Sequence, residues 1–248
     1  MSQDHKTHGS SIVLTERGLG QLLTALAPQQ TLSKGETKAI IDLDPRVAQY
    51  APRTVINSQG DQNDTTYFVY SGWGCTYVDL PDGSRQIADF QLRGDIIGLR
   101  ADGATWEESF HAISEMIVLE LSTKDINAAL GAAPKLAIRF LFALARKSAI
   151  RGEHLVNIGR RSASVRLSHL LLELGARLEA VGLAGPEGYD CPLTQHDLAD
   201  ALGLTAIHVN RMLRELRQSD LLSFRNGKVV FPNPEAVASF AHFDGDYL

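Results

Sequence analysis

The chain has 248 residues and a mass of 27.1 kDa, enough to bury a hydrophobic core and to form one or two domains. A formal net charge of −5 and an isoelectric point near 5.9 exclude indiscriminate nucleic-acid binding, although a locally basic surface remains compatible with specific recognition. Its two cysteines, Cys75 and Cys191, are far apart, so neither a disulfide framework nor a zinc or iron–sulfur site is indicated.

The amino-terminal residues lack the charged-then-apolar layout of a signal peptide. No apolar run approaches the roughly 20 residues needed to span a bilayer. We therefore expect a cytoplasmic protein with no membrane partner. Residues 1–11 are expected to fray, and short helices are predicted over Gly18–Ala27 and Lys34–Asp42.

A block of short strands is predicted from Arg53 to about Leu121. The segments TVI, YFVYSG, CTYVDL, RQIADFQL and MIVLEL alternate there with turn signals such as Pro81-Asp82-Gly83 and Gly94-Asp95. Even spacing of short strands predicts a small barrel or roll.

Four residues in this block form a candidate effector pocket: Trp73, Cys75, Tyr77 and Trp106. Aromatic side chains in a small roll usually fill its core, so core packing is the favoured alternative. Whether the Cys75 thiol senses oxidants depends on its pKa, which the sequence leaves open.

A long helix is predicted after Pro134, along AIRFLFALARKSAIRGEHLVNI. Residues at alternating spacings of four and three form a stripe typical of pairing with a partner helix. Since Ser148 and Arg151 suit a monomer core poorly, we expect a homodimer. The predicted interface comprises Ala137, Leu141, Leu144, Ser148, Arg151, Leu155 and Ile158.

A further helix is predicted over Ser162–Val181, and GPEGYDCP is predicted to be a loop. Basic residues cluster near the start of this helix, where ion pairs or solvent exposure are favoured over contacts with DNA phosphates. They are Arg146, Lys147, Arg151, Arg160, Arg161 and Arg166.

The most specific pattern begins at Thr194 and is typical of a helix-turn-helix followed by a β-hairpin wing. Thr194 is a suitable N-cap for a helix over Gln195–Leu202, and Gly203 supplies the left-handed conformation that ends it. Thr205 is placed to cap a second helix. Apolar residues of that helix recur at helical spacing and are expected to face the core: Val209, Met212, Leu213 and Leu216.

The opposite face of the second helix is predicted to contact the edges of DNA bases, in preference to being only a solvated polar face. Arg211 can donate two hydrogen bonds to guanine, and Asn210 can pair with adenine or reach a phosphate. Ile207 and Ala206 can pack on thymine methyl groups. The predicted DNA-binding residues also include Thr194 and, at phosphates, Thr205, His208 and Arg214.

A hairpin wing is predicted after the second helix. Leu221 and Leu222 are expected to begin its first strand, and Asn226-Gly227 favours a tight type I′ turn. Arg225 and Lys228 flank that turn, where they either contact backbone phosphates or form a solvated hairpin tip.

Three segments carry a wider resemblance: YFVYSGWGCTYVDLPDGSRQIADFQLRGDIIGL, HLVNIGRRSASVRLSHLLLEL and LTQHDLADALGLTAIHVNRMLRELR. In this order the chain resembles the Crp/Fnr family of transcription regulators. The resemblance implies an α+β fold with an N-terminal cyclic-nucleotide-binding-like β-roll, a long dimerisation helix and a C-terminal winged helix-turn-helix. The implied domains are a sensor-like roll (1–133), a dimerisation helix and hinge (134–160) and a DNA-binding domain (161–248).

The resemblance further implies a homodimer on double-stranded DNA with a pseudo-palindromic operator, and RNA polymerase as a protein partner. The family commonly presents an acidic residue to cytosine beside an arginine that donates to guanine. Arg211 matches the arginine, but Ile207 stands where the acid is expected. The half-site is therefore predicted to keep its guanine and to differ at the neighbouring base. No enzyme is expected, because the chain lacks a P-loop, a nucleophile elbow and a dinucleotide fingerprint.

Control by cyclic nucleotide is not expected. Members of the family that bind it use Gly-Glu followed by an Arg-Ser or Arg-Thr pair, whereas Gly98 is followed here by Leu99. The segment that should offer the arginine instead carries Glu107 and Glu108, which would repel a phosphate.

No cofactor is predicted, but a cyclic-nucleotide- or heme-responsive regulator of the same fold remains an alternative, as does a winged-helix protein-interaction module without DNA binding. Each residue that could serve as a heme ligand also has a simpler explanation that requires no heme. Cys75 and Met116 suit an apolar core, whereas His111 and His154 are expected to be solvated.

Overall fold

The computed structural model describes residues 33–101, 103–185 and 187–248. The expected fraying of residues 1–11 and the predicted helix over Gly18–Ala27 lie outside the described residues. Two compact units are formed. The first contains the described residues up to Thr76 and Phe90–Leu144, and the second contains Tyr77–Asp89 and Ala145–Leu248. The domain boundaries drawn from the sequence stay a prediction.

The first unit opens with helix α1, Lys34–Ile41, which confirms the helix predicted there. Ser33 and Glu36 form a capping box, in which each side chain accepts a hydrogen bond from the other's backbone N–H. The Glu36 carboxylate also accepts from Arg139 Nε at 2.6 Å, and this pair holds the pKa of Glu36 at about 2.

The predicted roll is confirmed. Its strands form two four-stranded sheets, in the orders β1-β8-β3-β6 and β2-β7-β4-β5. Strands β1 to β8 comprise Arg46–Tyr50, Val55–Asn57, Thr65–Ser71, Gly74–Asp79, Arg85–Gln91, Ile96–Ile97, Ser109–Ala112 and Met116–Ser122.

Strands β1, β6 and β7 were not predicted from the sequence. Strand β6 has two residues, too few to show an alternating pattern. Strand β7 has only four residues, too few for a clear alternating pattern, and its polar side chains Ser109 and His111 are buried although polar residues usually face solvent. The formation of these strands therefore depends on tertiary burial, which the local sequence does not reveal.

Strand β3 divides the core of the first unit into two clusters. Phe68 packs in one cluster with Leu119 and Phe140, whereas Tyr67 packs in the other with Trp106 and Phe110. Successive side chains of a strand point to opposite faces, so one strand supplies both clusters.

Helix α2, Thr123–Ala132, follows β8 and was not predicted as a separate element. Helix α3, Pro134–Arg160, confirms the predicted long helix. Helix α4, Ala163–Ala180, confirms the next one, with Ser162 and Val181 as its flanking cap residues. No helix in the described part of the chain is both long and apolar enough to cross a membrane.

The predicted winged helix-turn-helix is confirmed and has one more strand than expected. Helices α5 (Gln195–Leu202) and α6 (Ala206–Gln218) precede a three-stranded sheet in the order β10-β11-β9. The strands are β9 (Gly188–Asp190), β10 (Ser223–Arg225) and β11 (Lys228–Val230), and helix α7 (Pro234–Ala241) follows.

Two local predictions in this sheet were wrong. GPEGYDCP was predicted to be a loop, but it contains β9, in which Tyr189 pairs with Val229 of β11. Tyr189 is buried and its hydroxyl donates to the Leu171 carbonyl at 2.7 Å, a tertiary contact that local sequence does not reveal. The first hairpin strand begins at Ser223 and not at Leu221, because buried Leu222 still belongs to the connection from α6.

Candidate nucleic-acid interface

The start of helix α5 is fixed by a capping box around Thr194, the predicted N-cap. The Thr194 hydroxyl accepts from Asp197 N at 3.2 Å, and the Asp197 carboxylate accepts from Thr194 N at 2.7 Å. Gly203 ends the helix at φ 62°, in the left-handed region that favours glycine. Two N–H donors of the first turn are therefore satisfied within the helix start itself.

Thr205 caps the start of helix α6, and its hydroxyl accepts from His208 N at 3.2 Å. One face of the helix is apolar and enclosed, as predicted, so burial on this face fixes the rotation of α6 about its own axis. The enclosed residues are Val209, Met212, Leu213 and Leu216.

The opposite face of α6 is here called the reading surface: Ala206, Ile207, Asn210, Arg211 and Arg214. All except half-buried Ala206 are exposed. Ile207 is 81% exposed, so its side chain is accessible to a ligand beside Asn210 and Arg211. Arg211 Nε lies 3.9 Å from Glu215 Oε1 between two exposed side chains, a pair too weak to hold the guanidinium away from DNA.

The wing turn has the predicted geometry. Asn226 and Gly227 both have positive φ values, 52° and 72°, as a type I′ turn requires. Cys191 N donates to the Gly227 carbonyl at 2.7 Å, which ties the turn to the segment preceding α5. Arg225 and Lys228 beside the turn are exposed.

The remaining predicted DNA-binding residues, Thr194, Thr205 and His208, are exposed as well. The sequence missed Gln195, the first residue of α5. Its Oε1 accepts from Asn210 Nδ2 at 3.1 Å, which joins the reading surface to the neighbouring helix. The spacing of 15 residues between the two amides carries no local pattern that would have revealed the contact.

Two side chains hold the far end of α5. Arg166 Nη1 donates to the Leu202 carbonyl at 2.6 Å, and Gln86 Nε2 donates to the Ala201 carbonyl at 3.1 Å. Carbonyls in the last turn of a helix have no partner within the helix, so these donors satisfy groups that would otherwise stay open. Arg166, predicted to form ion pairs or to be solvated, instead positions the helix-turn-helix.

Six residues of the second unit form a buried charge cluster: Asp89, Lys147, His154, Glu173, Arg177 and Tyr247. Asp89 accepts from Arg177 Nη1 at 3.0 Å. Glu173 accepts from His154 Nε2 at 2.9 Å and from the Tyr247 hydroxyl at 3.0 Å. The side chains of Asp89 and Glu173 are only 1% and 0% exposed, so both carboxylates depend on these partners.

The cluster shifts the pKa values of its members in different directions. Burial raises the pKa of Asp89, but the charges of Arg177, Lys147 and His154 outweigh burial and bring the pKa below its ordinary value. Burial lowers the pKa of His154, but the hydrogen bond and charge of Glu173 more than compensate and raise it. Both shifts favour the charged forms of Asp89 and His154.

A second buried histidine lies beside the cluster and behaves differently. His169 stacks on Tyr247 with ring centroids 6.1 Å apart and meets the edge of Phe243 at 5.2 Å. Burial, followed by the charge of Arg161, lowers the pKa of His169 to about 4. His169 is therefore neutral at pH 7.

The four residues of the candidate effector pocket are all buried. Trp106 packs with Tyr67 and Phe110, whereas Arg85 covers the ring of Tyr77 at 3.8 Å. Cys75 Sγ lies 3.6 Å from both ring nitrogens of His111.

The histidines considered as heme ligands were wrongly expected to be solvated. His111 is 4% exposed because β7 is buried along its whole length, and His154 is held in the charge cluster by Glu173. Cys75 and Met116 are buried, as an apolar core implies. Both cysteines are free thiols, and burial raises the pKa of Cys191 to about 12, which keeps that thiol protonated.

Helix α3 carries the predicted dimer interface on its outer surface. Leu141, Leu144, Ser148, Arg151 and Leu155 are exposed, whereas Ala137 and Ile158 are half-buried. Three further large apolar residues, which the predicted stripe omits, are also exposed on this helix: Ile138, Phe142 and Val156.

Comparison with known proteins identifies both units. The family described as cyclic nucleotide-binding domain matches residues 47–132, and the family described as Crp-like helix-turn-helix domain matches residues 165–240. The nitrogen fixation regulation protein FixK of Rhizobium meliloti (strain 1021) is 31% identical over 198 residues, which cover 79% of this chain and 87% of the relative.

Two other proteins extend this comparison. The fumarate and nitrate reduction regulatory protein of Salmonella typhimurium (strain LT2) is 24% identical over 231 residues, covering 92% of this chain and 84% of the relative. The solved structure of FixK2 from Bradyrhizobium japonicum aligns with a TM-score of 0.72 and 26% identity, covering 79% of this chain and 96% of that one.

Proposed function

Because the chain belongs to the Crp/Fnr family of transcription regulators, with that family's DNA-binding helix-turn-helix domain, we propose that two copies bind one pseudo-palindromic operator. Each copy would present its reading surface to the major groove of one half-site. The observation that carries this proposal is the reading surface, where Ile207, Asn210 and Arg211 are exposed on a helix fixed by its buried face.

The contacts within a half-site follow from side-chain chemistry. Arg211 donates to guanine, Asn210 pairs with adenine, and Ile207 packs on a thymine methyl group. Arg214 contacts DNA phosphates. The exposed residues around the turns do so as well: Thr194, Thr205, His208, Arg225 and Lys228. Because Ile207 cannot accept a hydrogen bond from cytosine, the half-site keeps its guanine and differs at the neighbouring base.

Binding-site selection from random duplexes tests this assignment. The expected motif has two inverted half-sites, each with one guanine whose preference is lost in Arg211→Ala. Affinity should also fall steeply with added salt, since lysine and arginine displace counterions from phosphates. A flat salt response and no selected motif would favour a protein-interaction module instead.

The dimer is proposed to form through helix α3. Its exposed apolar residues need a partner surface, and a second α3 supplies an identical one. The interface combines the predicted stripe with Ile138, Phe142 and Val156, which broaden it. Glutamate at Leu141 and Leu155 should convert a dimer into a monomer in sedimentation analysis. Leu183→Glu, which changes an exposed leucine elsewhere, should not.

Cyclic nucleotide is not proposed as the effector of the roll. Gly98 has φ +83°, and a Cβ there would lie 2.5 Å from the Trp106 ring, so Trp106 occupies the space beside the glycine. The Arg100 guanidinium donates to the carbonyls of Gly98 and Thr65, at 2.6 and 3.2 Å. Calorimetric titration with cyclic AMP and cyclic GMP should therefore detect no tight binding.

The regulator is proposed to act in the cytoplasm with RNA polymerase as its protein partner and without catalysis of its own. Transcription in vitro from a promoter that carries the selected operator tests this. The transcript level should change on addition of the protein and should stay constant when both half-sites are scrambled.

A further inference from the structure

We propose that Gln195 is a positioning residue for base recognition, which fixes the orientation of the Asn210 amide so that Asn210 reads adenine. Asn210 Nδ2 donates to Gln195 Oε1 at 3.1 Å across the two helices of the helix-turn-helix. The inference deepens the proposed function and rests on it.

The hydrogen-bonding capacity of Asn210 explains why this contact matters. Its amide has two N–H donors and one carbonyl acceptor. Gln195 takes one donor, so one N–H and Oδ1 remain for a ligand. Adenine in the major groove presents the N7 acceptor beside the N6 amino donor, and this pair requires one donor and one acceptor together.

The contact also opposes reversal of the amide. If the Asn210 amide turned by half a rotation, its Oδ1 would face Gln195 Oε1, and two acceptors would meet. Reversal therefore requires both amides to turn together. An asparagine without this neighbour would present either its oxygen or its nitrogen to the base, and its preference for adenine would be weaker.

The backbone at Gln195 is fixed by the capped start of helix α5. It is the first residue of α5, directly after the cap residue Thr194. Asp197, which closes the capping box, is buried, and Leu198 and Ala199 bury the inner face of the helix. The start of α5 is thus fixed relative to its own capping groups, as accurate positioning requires.

Asn210 lies between the other two base-reading residues on α6. It follows Ile207 by three positions and precedes Arg211, so the three side chains share one face of the helix. The base read by Asn210 therefore lies next to the guanine assigned to Arg211, and the Gln195 effect should be confined to that one base pair in each half-site.

Three substitutions of Gln195 separate positioning from charge. Gln195→Ala removes the acceptor, Gln195→Glu can only accept, and Gln195→Lys can only donate. Positioning predicts that Gln195→Glu keeps the adenine preference. It also predicts that Gln195→Ala and Gln195→Lys reduce that preference about tenfold, the scale of one bidentate base contact.

The measurement is the affinity of the full-length protein for its selected operator and for duplexes substituted at single base pairs. Replacement of the operator adenine by 7-deazaadenine, which lacks the N7 acceptor, should weaken operator binding by the wild type. It should leave operator binding by Gln195→Ala nearly unchanged. Gln218→Ala and Gln218→Lys, at an exposed glutamine at the other end of α6, serve as controls and should keep every base preference.

A role for Gln195 in charge or phosphate contact alone predicts a different result. Gln195→Lys would then strengthen and Gln195→Glu weaken binding to all duplexes alike, with adenine preference unchanged, and this result would overturn the inference. Loss of the guanine preference in Gln195→Ala would overturn it too, because the effect would not be confined to Asn210. Absence of any sequence preference in the wild type would instead contradict the proposed function.

Discussion

The reading surface and the buried charge cluster lie in the same compact unit but use polar side chains in opposite ways. On the reading surface Asn210, Arg211 and Arg214 point into solvent and are open to a ligand. In the charge cluster Asp89 and Glu173 are enclosed and bonded to Arg177, His154 and Tyr247. Exposed polar groups contribute little to stability and are available for recognition, whereas enclosed ions are costly unless every partner is present.

The largest expected effect follows from removing a carboxylate of the charge cluster. Glu173→Ala removes the acceptor of His154 Nε2 and of the Tyr247 hydroxyl and one of the two carboxylates beside Arg177, so the free energy of unfolding should fall by about 3–5 kcal/mol. Denaturant unfolding measures this loss. Asp42→Ala, which breaks the exposed pair with Lys38, should cost no more than about 1 kcal/mol. Equal losses in the two variants would contradict the claim that enclosed ions contribute more to stability than exposed ions.

Arg211→Ala tests the other side of the comparison. Binding to the cognate operator should weaken by about 1–3 kcal/mol with loss of the guanine preference, while unfolding changes by less than about 0.5 kcal/mol. Arg214→Ala should weaken binding to all sequences alike. Fluorescence anisotropy with cognate and scrambled duplexes distinguishes the two. Equal weakening of both duplexes by Arg211→Ala would contradict its assignment to a base.

His169 should make the protein less stable in acid. Its pKa is lowered to about 4 in the folded state, so between pH 6.5 and 4 the unfolded chain binds a proton that the folded chain does not. Stability from this group is therefore lost as the pH falls through that window. His169→Phe should reduce the acid-induced loss by on the order of 1 kcal/mol.

His154 should act in the opposite direction. Because its pKa is raised by Glu173, its stabilising contribution is complete below pH 6.5 and disappears as the pH rises through the higher folded-state value. The stability of the wild type should therefore decline above pH 6.5 more steeply than that of His154→Gln. Parallel pH profiles from pH 6 to 9 would count against a charged His154 in the cluster.

The most local expected effect concerns the cap of α5. Thr194→Ala removes the acceptor for Asp197 N and should cost about 0.5–2 kcal/mol, with faster hydrogen exchange at the start of α5. Thr194→Ser keeps the hydroxyl and should restore protection. Unchanged exchange in Thr194→Ala would mean that the packing of α5 alone fixes the helix start.

Local chemistry explains why the helix-turn-helix was predictable. The cap residue Thr194, the left-handed Gly203 and the Asn226-Gly227 turn each impose a backbone conformation on their own neighbours. The apolar spacing of α6 likewise requires only residues within one helix. The structure therefore agrees with the sequence prediction at nearly every boundary of this region.

The charge cluster was not predictable for the opposite reason. Asp89, His154 and Glu173 come from three separate elements, and nothing in their local sequence distinguishes them from solvated charges. His154 was expected to be solvated, and no buried role was predicted for Glu173, which lies in an apolar helix. Only the burial of α4 on all sides makes these residues depend on one another.

The amino-acid sequence by itself determined the order of roll, long helix and winged helix-turn-helix, because periodicity, caps and tight turns act over a few residues. The tertiary structure alone decided that GPEGYDCP adds a strand, that Arg166 holds the end of α5, and that Gln195 meets Asn210. These contacts join residues distant in the chain, and their energies depend on burial and geometry that appear only after the elements pack.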